Sequence, residues 1–367
     1  MTPADGTPDR CLSNRKALRG PDRCLSNRKR LHRVAQAPIG SPSPGRRGVA
    51  RAAGLVVGFA LDRRLGDPAR FHPVAGFGRV AGALERLTYA DRRANGVVHV
   101  AVLVGGSALL GLAADRAARR LGPLGESAAV AAATWTVLGG RSLEREALVV
   151  AALLEADDLP AARQRVTHLV GRDPDRLDET AVVRATVESV AENTSDAVVA
   201  PLLAGGVAGV PGLLAYRAAN TLDAMVGHRT PRLRNFGWAA ARFDDLLNLV
   251  PARVAGVAAA TCAPVVGGSP ARSLRAWRRD AAGHPSPNAG PVEAAFAGAL
   301  DVRLGGVNVY EGRTEDRHTL GDGRPPELAD VDRSTRLAYA VDLTALAVAA
   351  VVAISRGRRR DADARPA

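Results

Sequence analysis

The chain has 367 residues, 47% hydrophobic and 24% charged, with a formal net charge of +13 and a mean hydropathy of −0.03. That charge is terminal. Residues 1–48 hold eleven Lys/Arg against three Asp and residues 356–367 hold five Arg against two Asp, which leaves the body between them close to neutral. With no aromatic–basic interleaving and no zinc-finger spacing, nucleic acid is not an expected partner; basic ends of this kind suit the surface of an anionic lipid leaflet.

In chain order, residues 1–48 read as a disordered basic extension. The stretch Pro8–Lys16 recurs unchanged as Pro21–Lys29, and a Pro/Ser/Gly linker follows. Its apolar content is too low to bury, and without an apolar central region it is no secretory signal peptide. Cys11 and Cys24 belong to the duplication and Cys262 to an apolar run, which makes neither a disulfide framework nor a zinc site. Both lysines, Lys16 and Lys29, lie in the same extension. The body therefore has no Walker A loop and no Schiff-base lysine, and any phosphate must be met by arginine, backbone amides and metal.

A short apolar run at 52–61 leads into Asp62, Gly66-Asp67-Pro68 and His72-Pro73-Val74, where the two prolines disfavour helix at Asp67 and His72 and predict a structured loop. Longer apolar runs follow at 97–114, 127–140, 197–216, 254–271 and 337–355, against the ~17–25 residues that a spanning helix needs. Residues 141–183 read as amphipathic helices with a turn at Gly171–Pro174, and 272–336 as an ordered loop followed by a helix starting near Pro291. The expected architecture is all-α: a polytopic integral membrane protein with about four or five apolar helices, polar helical loops and a basic tail over 356–367.

Three polar clusters sit against these apolar stretches: Arg184 to Asp196, Asn220 to Asp223, and Asp244 to Asn248 followed by Pro251-Ala-Arg253. On a helix, Glu188, Glu192 and Asp196 at i, i+4 and i+8 stack three carboxylates on one face. Each like-charge pair costs about 0.2–0.5 kcal/mol, and carboxylates beside segments of membrane-like composition point to function. Hard oxygen ligands in this pattern suit Mg²⁺ shared with substrate phosphates, with Glu192, Asp196, Asp223 and Asp244 as the ligand candidates.

A straight crossing of 197–216 would put Glu192 and Asp196 on the side opposite Asp223 and Asp244. Pro201, Gly205-Gly206, Gly209 and Pro211-Gly212 interrupt that run, so it reads as re-entrant, a conformation tolerated where it lines a protein cavity.

On these motifs the chain resembles the adenosylcobinamide-phosphate synthases of cobalamin biosynthesis, the CobD/CbiB family, from about residue 52 to 355. The resemblance rests on the Asp62 to Val74 opening, Val170-Gly-Arg-Asp173, Arg184-Ala-x-Val-Glu-Ser-x-Ala-Glu-Asn193 with Asp196 and Pro201, and Tyr216-Arg-Ala-x-Asn-Thr-Leu-Asp223. It continues through Met225-Val-Gly-His-Arg229, Ala241-Arg-x-Asp-Asp-x-x-Asn248, Pro251-Ala-Arg253 and Ser286-Pro-Asn-Ala-Gly290.

It implies a multi-pass ligase of the cytoplasmic membrane that joins a propionate carboxylate of adenosylcobyric acid to the amine of an aminopropanol phosphate. ATP is the co-substrate and Mg²⁺ the cofactor. Its partners would be the corrinoid and amino-alcohol phosphate substrates, the lipid bilayer, and other membrane proteins of cobalamin assembly. The candidate catalytic set is Glu188, Glu192, Asn193, Asp196, Asn220, Asp223, Asp244, Asp245 and Asn248. Candidates for substrate and phosphate are Arg184, His228, Arg229, Arg242, Arg253, Asp67, His72, Ser286 and Asn288.

Two other classes fit the acidic clusters. A Mg²⁺-dependent membrane prenyltransferase would want aromatic lining, and the chain is only 4% aromatic. An ion-coupled transporter would place acids in broken helices, but no internal repeat relates two halves of the body.

Overall fold

The computed structural model describes residues 44–67, 72–170, 174, 177–228, 230–310 and 313–363. The basic extension therefore lies for the most part outside the described residues, as do Arg229 and residues 171–173 of the expected turn. Helix α1 (Pro44–Leu65) already begins at Pro44, so residues 44–48 join the folded unit Pro42–Ala367.

Proline marks helix starts, since its fixed φ suits the first turn and its missing N–H is not needed there. Helix α2 (Pro73–Thr88) opens on Pro73, and the His72 side chain accepts the Val74 N–H as its cap. Helices α3 (Arg93–Arg119), α4 (Gly122–Val137), α5 (Gly140–Glu155) and α6 (Leu159–Val166) follow. Asp158 caps α6, and Asp178 caps α7 (Glu179–Thr194). From Thr194 the chain passes without a break through a π-turn, Ser195–Val199, into α8 (Ala200–Ala208).

At Gly209 the chain reverses. Its φ of 68° is the left-handed conformation that a Cβ disfavours, and α9 (Val210–Val226) runs back beside α8. The interrupted apolar run is thus a helical hairpin. A Cβ on Gly212 would overlap the Ala204 carbonyl oxygen, so only glycine lets the two arms approach this closely.

Helix α10 (Trp238–Cys262) carries Pro251 and continues as a 3₁₀ turn, Ala263–Val266. After α11 (Pro270–Asp280) comes α12 (Ala289–Leu300), which is apolar apart from Glu293 and is buried along its whole length. Strands β1 (Leu304–Tyr310) and β2 (Arg313–Leu320) pair antiparallel, and the 35-residue α13 (Ala329–Asp363) ends the fold.

The strand pair departs from an all-α expectation. Gly305 and Gly306, both at positive φ, and the polar β2 sequence Arg-Thr-Glu-Asp-Arg-His-Thr-Leu leave no clean period-two alternation to read. Otherwise the protein is helical.

Among the described residues three helices are long and apolar enough to cross a membrane: Arg93–Arg119, Trp238–Val266 and Ala329–Arg359. They account for the runs at 97–114, 254–271 and 337–355, and the chain is a membrane protein on that ground. The 127–140 run lies mostly in the sixteen-residue α4, which is short for a span.

Helix α1 packs between α4 and α13, α9 lies along α3, and α10 packs on α12 and α13. One core joins the hairpin to these helices through Leu55, Leu202, Leu213, Phe296 and Leu337. A second, smaller core collects Ala81, Leu103, Leu222 and Phe236 where α2, α3 and α9 meet. Each buried leucine contributes about 1.5–3 kcal/mol.

Gly212→Ala is expected to pry the hairpin arms apart at a cost of about 1–3 kcal/mol, typical of overpacking. The check is a lower apparent Tm in detergent than that of Ala215→Gly, which removes atoms from the same helix.

Candidate active site

Three segments converge: the π-turn, α9 from Tyr216 onward, and the first half of α10. Tyr216, Asn220 and Asp223 lie at i, i+4 and i+7, which places them on one face of α9. The Tyr216 hydroxyl, itself buried, lies 2.8 Å from Asn248 Oδ1 and 3.0 Å from the Asp196 carbonyl oxygen. Asn248 Nδ2 donates to Asp244 Oδ2 at 2.9 Å, and Asn220 Nδ2 reaches Asp244 Oδ1 at 3.4 Å. Asp244 is 7% and Asn248 1% exposed. Amides thus hold a buried carboxylate on both of its oxygens without neutralising it.

Asp196, Asp223 and Glu192 complete the cluster. Burial pushes the Asp196 carboxyl well up, and the facing charges of Asp244, Glu192 and Asp223 push it further. Asp223 is pushed up to about 6 by burial, then by Asp245 and Glu192. Asp245 lies 3.4 Å from Arg242 and marks the exposed rim.

A second anchor holds the loop before α12. Asn288 Nδ2 donates to the Asp245 carbonyl at 2.8 Å, and Arg253 donates to Asn288 Oδ1 at 3.0 Å. Ser286 Oγ accepts the N–H groups of Asn288 and Ala289, which caps the entry to α12. The Ser286–Gly290 motif therefore buttresses α10 at the site.

Several candidates stand elsewhere. Glu188 is buried and accepts the Gly305 N–H at 2.6 Å, with Arg184 at 4.0 Å, so this pair ties α7 to the strand pair. Of the expected stack of three carboxylates, Glu192 and Asp196 act on one another, while Glu188 is turned to Gly305 and is not among the charges facing Asp196. Asn193 folds back onto Ser189 of its own helix. His228 bonds the Ala224 carbonyl at the exposed end of α9. Asp67 pairs with His72 at 3.5 Å in the loop before α2.

Sequence reasoning passed over Tyr216 and Arg217 as site residues. Arg217 faces Asp67, Asp196 and Asp62 and donates to Asn220 Oδ1 at 3.4 Å, which links the opening loop to the acidic cluster. The signal was available: both residues stand inside a quoted motif, and a tyrosine–arginine pair beside acids in an apolar hairpin is costly to bury without partners.

Among the described residues no group of three or more His, Cys, Asp or Glu closes into a cage able to hold an ion on protein ligands alone. The donor set nevertheless fits Mg²⁺, which is ordinarily held by one or two carboxylates together with water and substrate phosphates. Asp196, Asp223, Glu192 and Asp244 are the residues that would hold it.

The CobD/Cbib protein family matches residues 55–338. The chain belongs to that family. It is 55% identical over 308 residues to the cobalamin biosynthesis protein CobD of Mycobacterium tuberculosis (strain CDC 1551 / Oshkosh), covering 84% of this chain and 97% of the relative. The protein of the same name from Geobacter metallireducens is 44% identical over 307 residues, 82% of this chain and 96% of that one. The Rhodobacter capsulatus protein is 42% identical over 297 residues, 78% and 92% respectively. No solved structure matches the chain.

The raised pKa of Asp223 has a measurable consequence. Its folded-state value of about 6 lies above the ordinary aspartate value of about 3.9, so the stability this group contributes is fully present below that ordinary value and is lost as pH rises through about 6. Asp223→Asn is expected to raise the apparent Tm at pH 8 and leave it unchanged at pH 4. Equal shifts at both pH values would show that Asp223 is not held against neighbouring charge.

Proposed function

We propose that the protein is an ATP-dependent, amide-forming ligase that joins adenosylcobyric acid to an aminopropanol phosphate, yielding adenosylcobinamide phosphate. Membership of a family whose relatives are named for cobalamin biosynthesis supports the setting. The observation that carries the reaction class is the convergence of Asp196, Asp223 and Asp244 with Tyr216 and two amides at the mouth of a hairpin.

A carboxylate must be activated before an amine can displace oxygen from it. The carboxylate attacks the terminal phosphorus of ATP, the bond to ADP breaks, and an acyl phosphate forms. The unprotonated amine then adds to the carbonyl carbon, and inorganic phosphate leaves with the C–O electron pair. The amine nitrogen gives up its proton to a carboxylate of the cluster that the metal leaves free. Bound Mg²⁺ supplies charge neutralisation on the phosphates. Asp244 is held in one orientation by Asn248 and Asn220, so its geometry is set before substrate arrives. No enzyme nucleophile is required.

The hairpin is, on this reading, re-entrant from the cytoplasmic side, where ATP is available. Tyr216 bonding the Asp196 carbonyl supports a common face for the two arms. Ser195 is buried and unsuited to labelling. Single cysteines at the exposed Thr180 and His228, in a background lacking Cys11, Cys24 and Cys262, are expected to react with an impermeant thiol reagent from one and the same side. Opposite sides would sink the single-site mechanism and leave the transporter class ahead.

Asp196→Asn and Asp244→Asn are expected to lower coupling of adenosylcobyric acid by about 10²-fold or more, as loss of a positioned charge does, with protein still present in membranes. Near-native rates at limiting Mg²⁺ in both would remove these residues from the metal site.

A further inference from the structure

Two motifs are left over by the acidic cluster: the His72-Pro73-Val74 segment and Arg217. They meet at a second cavity, on the other flank of α9. It holds about 140 Å³ and is walled by Val74 and Phe77 of α2, Leu110 of α3, Thr136 of α4, and Leu214 and Arg217 of α9. Arg217 is the one charged side chain among the described residues that line it.

That guanidinium is poorly engaged. Among the described residues its single hydrogen bond is the long one to Asn220 Oδ1, and its buried Nε has no partner there. The carboxylates of Asp67, Asp196 and Asp62 face it, close enough to offset its charge but not to occupy its donors. A planar cation with open donors selects phosphate, which it can grip through two oxygens at once. The flanking carboxylates in turn select a cation. The apolar walls suit a short alkyl segment between the two.

Size decides among the three substrates of the proposed reaction. Sites for drug-sized ligands occupy about 300–1,000 Å³, and a nucleotide or a corrin ring needs at least that. The space between these walls holds a small organic molecule, and Leu110 at its rim is largely exposed.

We propose that this cavity is the subsite for the amino-alcohol phosphate, with its phosphate on Arg217, its alkyl chain against Phe77 and Leu214, and its ammonium turned toward the acidic cluster. The assignment rests on the ligase reading above. It also gives Arg217 a task that Arg184, Arg242 and Arg253 do not perform: it stands on the wall shared by cavity and cluster, so the amine bound in one is delivered to the other.

The test uses the full-length protein in detergent with ATP, Mg²⁺, adenosylcobyric acid and aminopropanol phosphate. Ser107→Leu and Thr136→Leu fill the cavity from α3 and α4. Both are expected to raise KM for aminopropanol phosphate about tenfold or more, the penalty of misfit in a shaped pocket, with KM for ATP unchanged. Arg217→Gln is expected to lose the preference for phosphorylated over unphosphorylated aminopropanol, and Arg217→Lys to regain part of it. Unchanged KM for aminopropanol phosphate in both filled variants, or a rise in KM for ATP or the corrinoid instead, overturns the assignment. If the native protein shows no ATP-dependent coupling, the ligase reading falls and the subsite is read by direct titration with aminopropanol phosphate. Weaker binding by Thr136→Leu than by native protein upholds the subsite; equal binding, or none to either, overturns it.

Discussion

The hydroxyl of Tyr216 touches two segments besides its own helix, reaching Asn248 of α10 and the Asp196 carbonyl of the π-turn. The rest of the acidic site hangs on this junction. The π-turn sends the Ala200 N–H to the Ser195 carbonyl, and Pro201 has no N–H to offer Asp196; the buried tyrosine donates there instead. The same contact orients the Asn248 amide, whose nitrogen then holds Asp244. The one hydroxyl proton is shared between these two acceptors, so loss of the hydroxyl removes one buried donor, worth about 1–3 kcal/mol. The hairpin makes the junction possible, because the reversal at Gly209 brings residue 216 back level with residue 196.

The sequence disclosed most of what depends on local chemistry. Acids and amides at helical spacing beside apolar runs drew attention to Asp196, Asp223, Asp244 and Asn248, which the structure brings together, although other acids such as Glu126 and Asp330 are buried as well. Glycines and prolines within 197–216 likewise announced a break, and the reversal falls at one of the named glycines. The link from Ser286 and Asn288 to α10 was legible only through the motif, because hydrogen bonds across 43 positions leave no periodic trace.

What escaped the sequence has two physical causes. The first is tertiary pairing: Glu188 accepts the Gly305 N–H from 117 positions away and serves the strand pair, while the chain goes on into a π-turn at Ser195. Nothing in Ser-Asp-Ala-Val-Val marks a wider turn. The second is direction around a helix. Tyr216, Asn220 and Asp223 share a face, whereas Arg217, one residue on, turns about 100° away toward the α1–α2 loop. Proximity in sequence to acids favoured Arg184, Arg242 and Arg253. Their long side chains pair instead with Glu188, Asp245 and Asn288.

This division of α9 into two faces bears on how anionic substrates can use a site with so many acids. Glu192, Asp196, Asp223, Asp244 and Asp245 face one another with few cations within reach. Bare ATP would meet repulsion there rather than attraction. On the proposed reading, nucleotide affinity is therefore conditional on the divalent cation, and the metal–nucleotide pair enters as a unit. The other face carries the opposite bias, a guanidinium in an apolar cavity with carboxylates behind it. A phosphate small enough for that cavity needs no metal to bind, so the two phosphate-bearing substrates are sorted by charge as well as by size. One helix can present both environments because a rotation of a single residue separates Tyr216 from Arg217, and the Asn220 amide, bonded to Asp244 on one side and Arg217 on the other, is the seam between them.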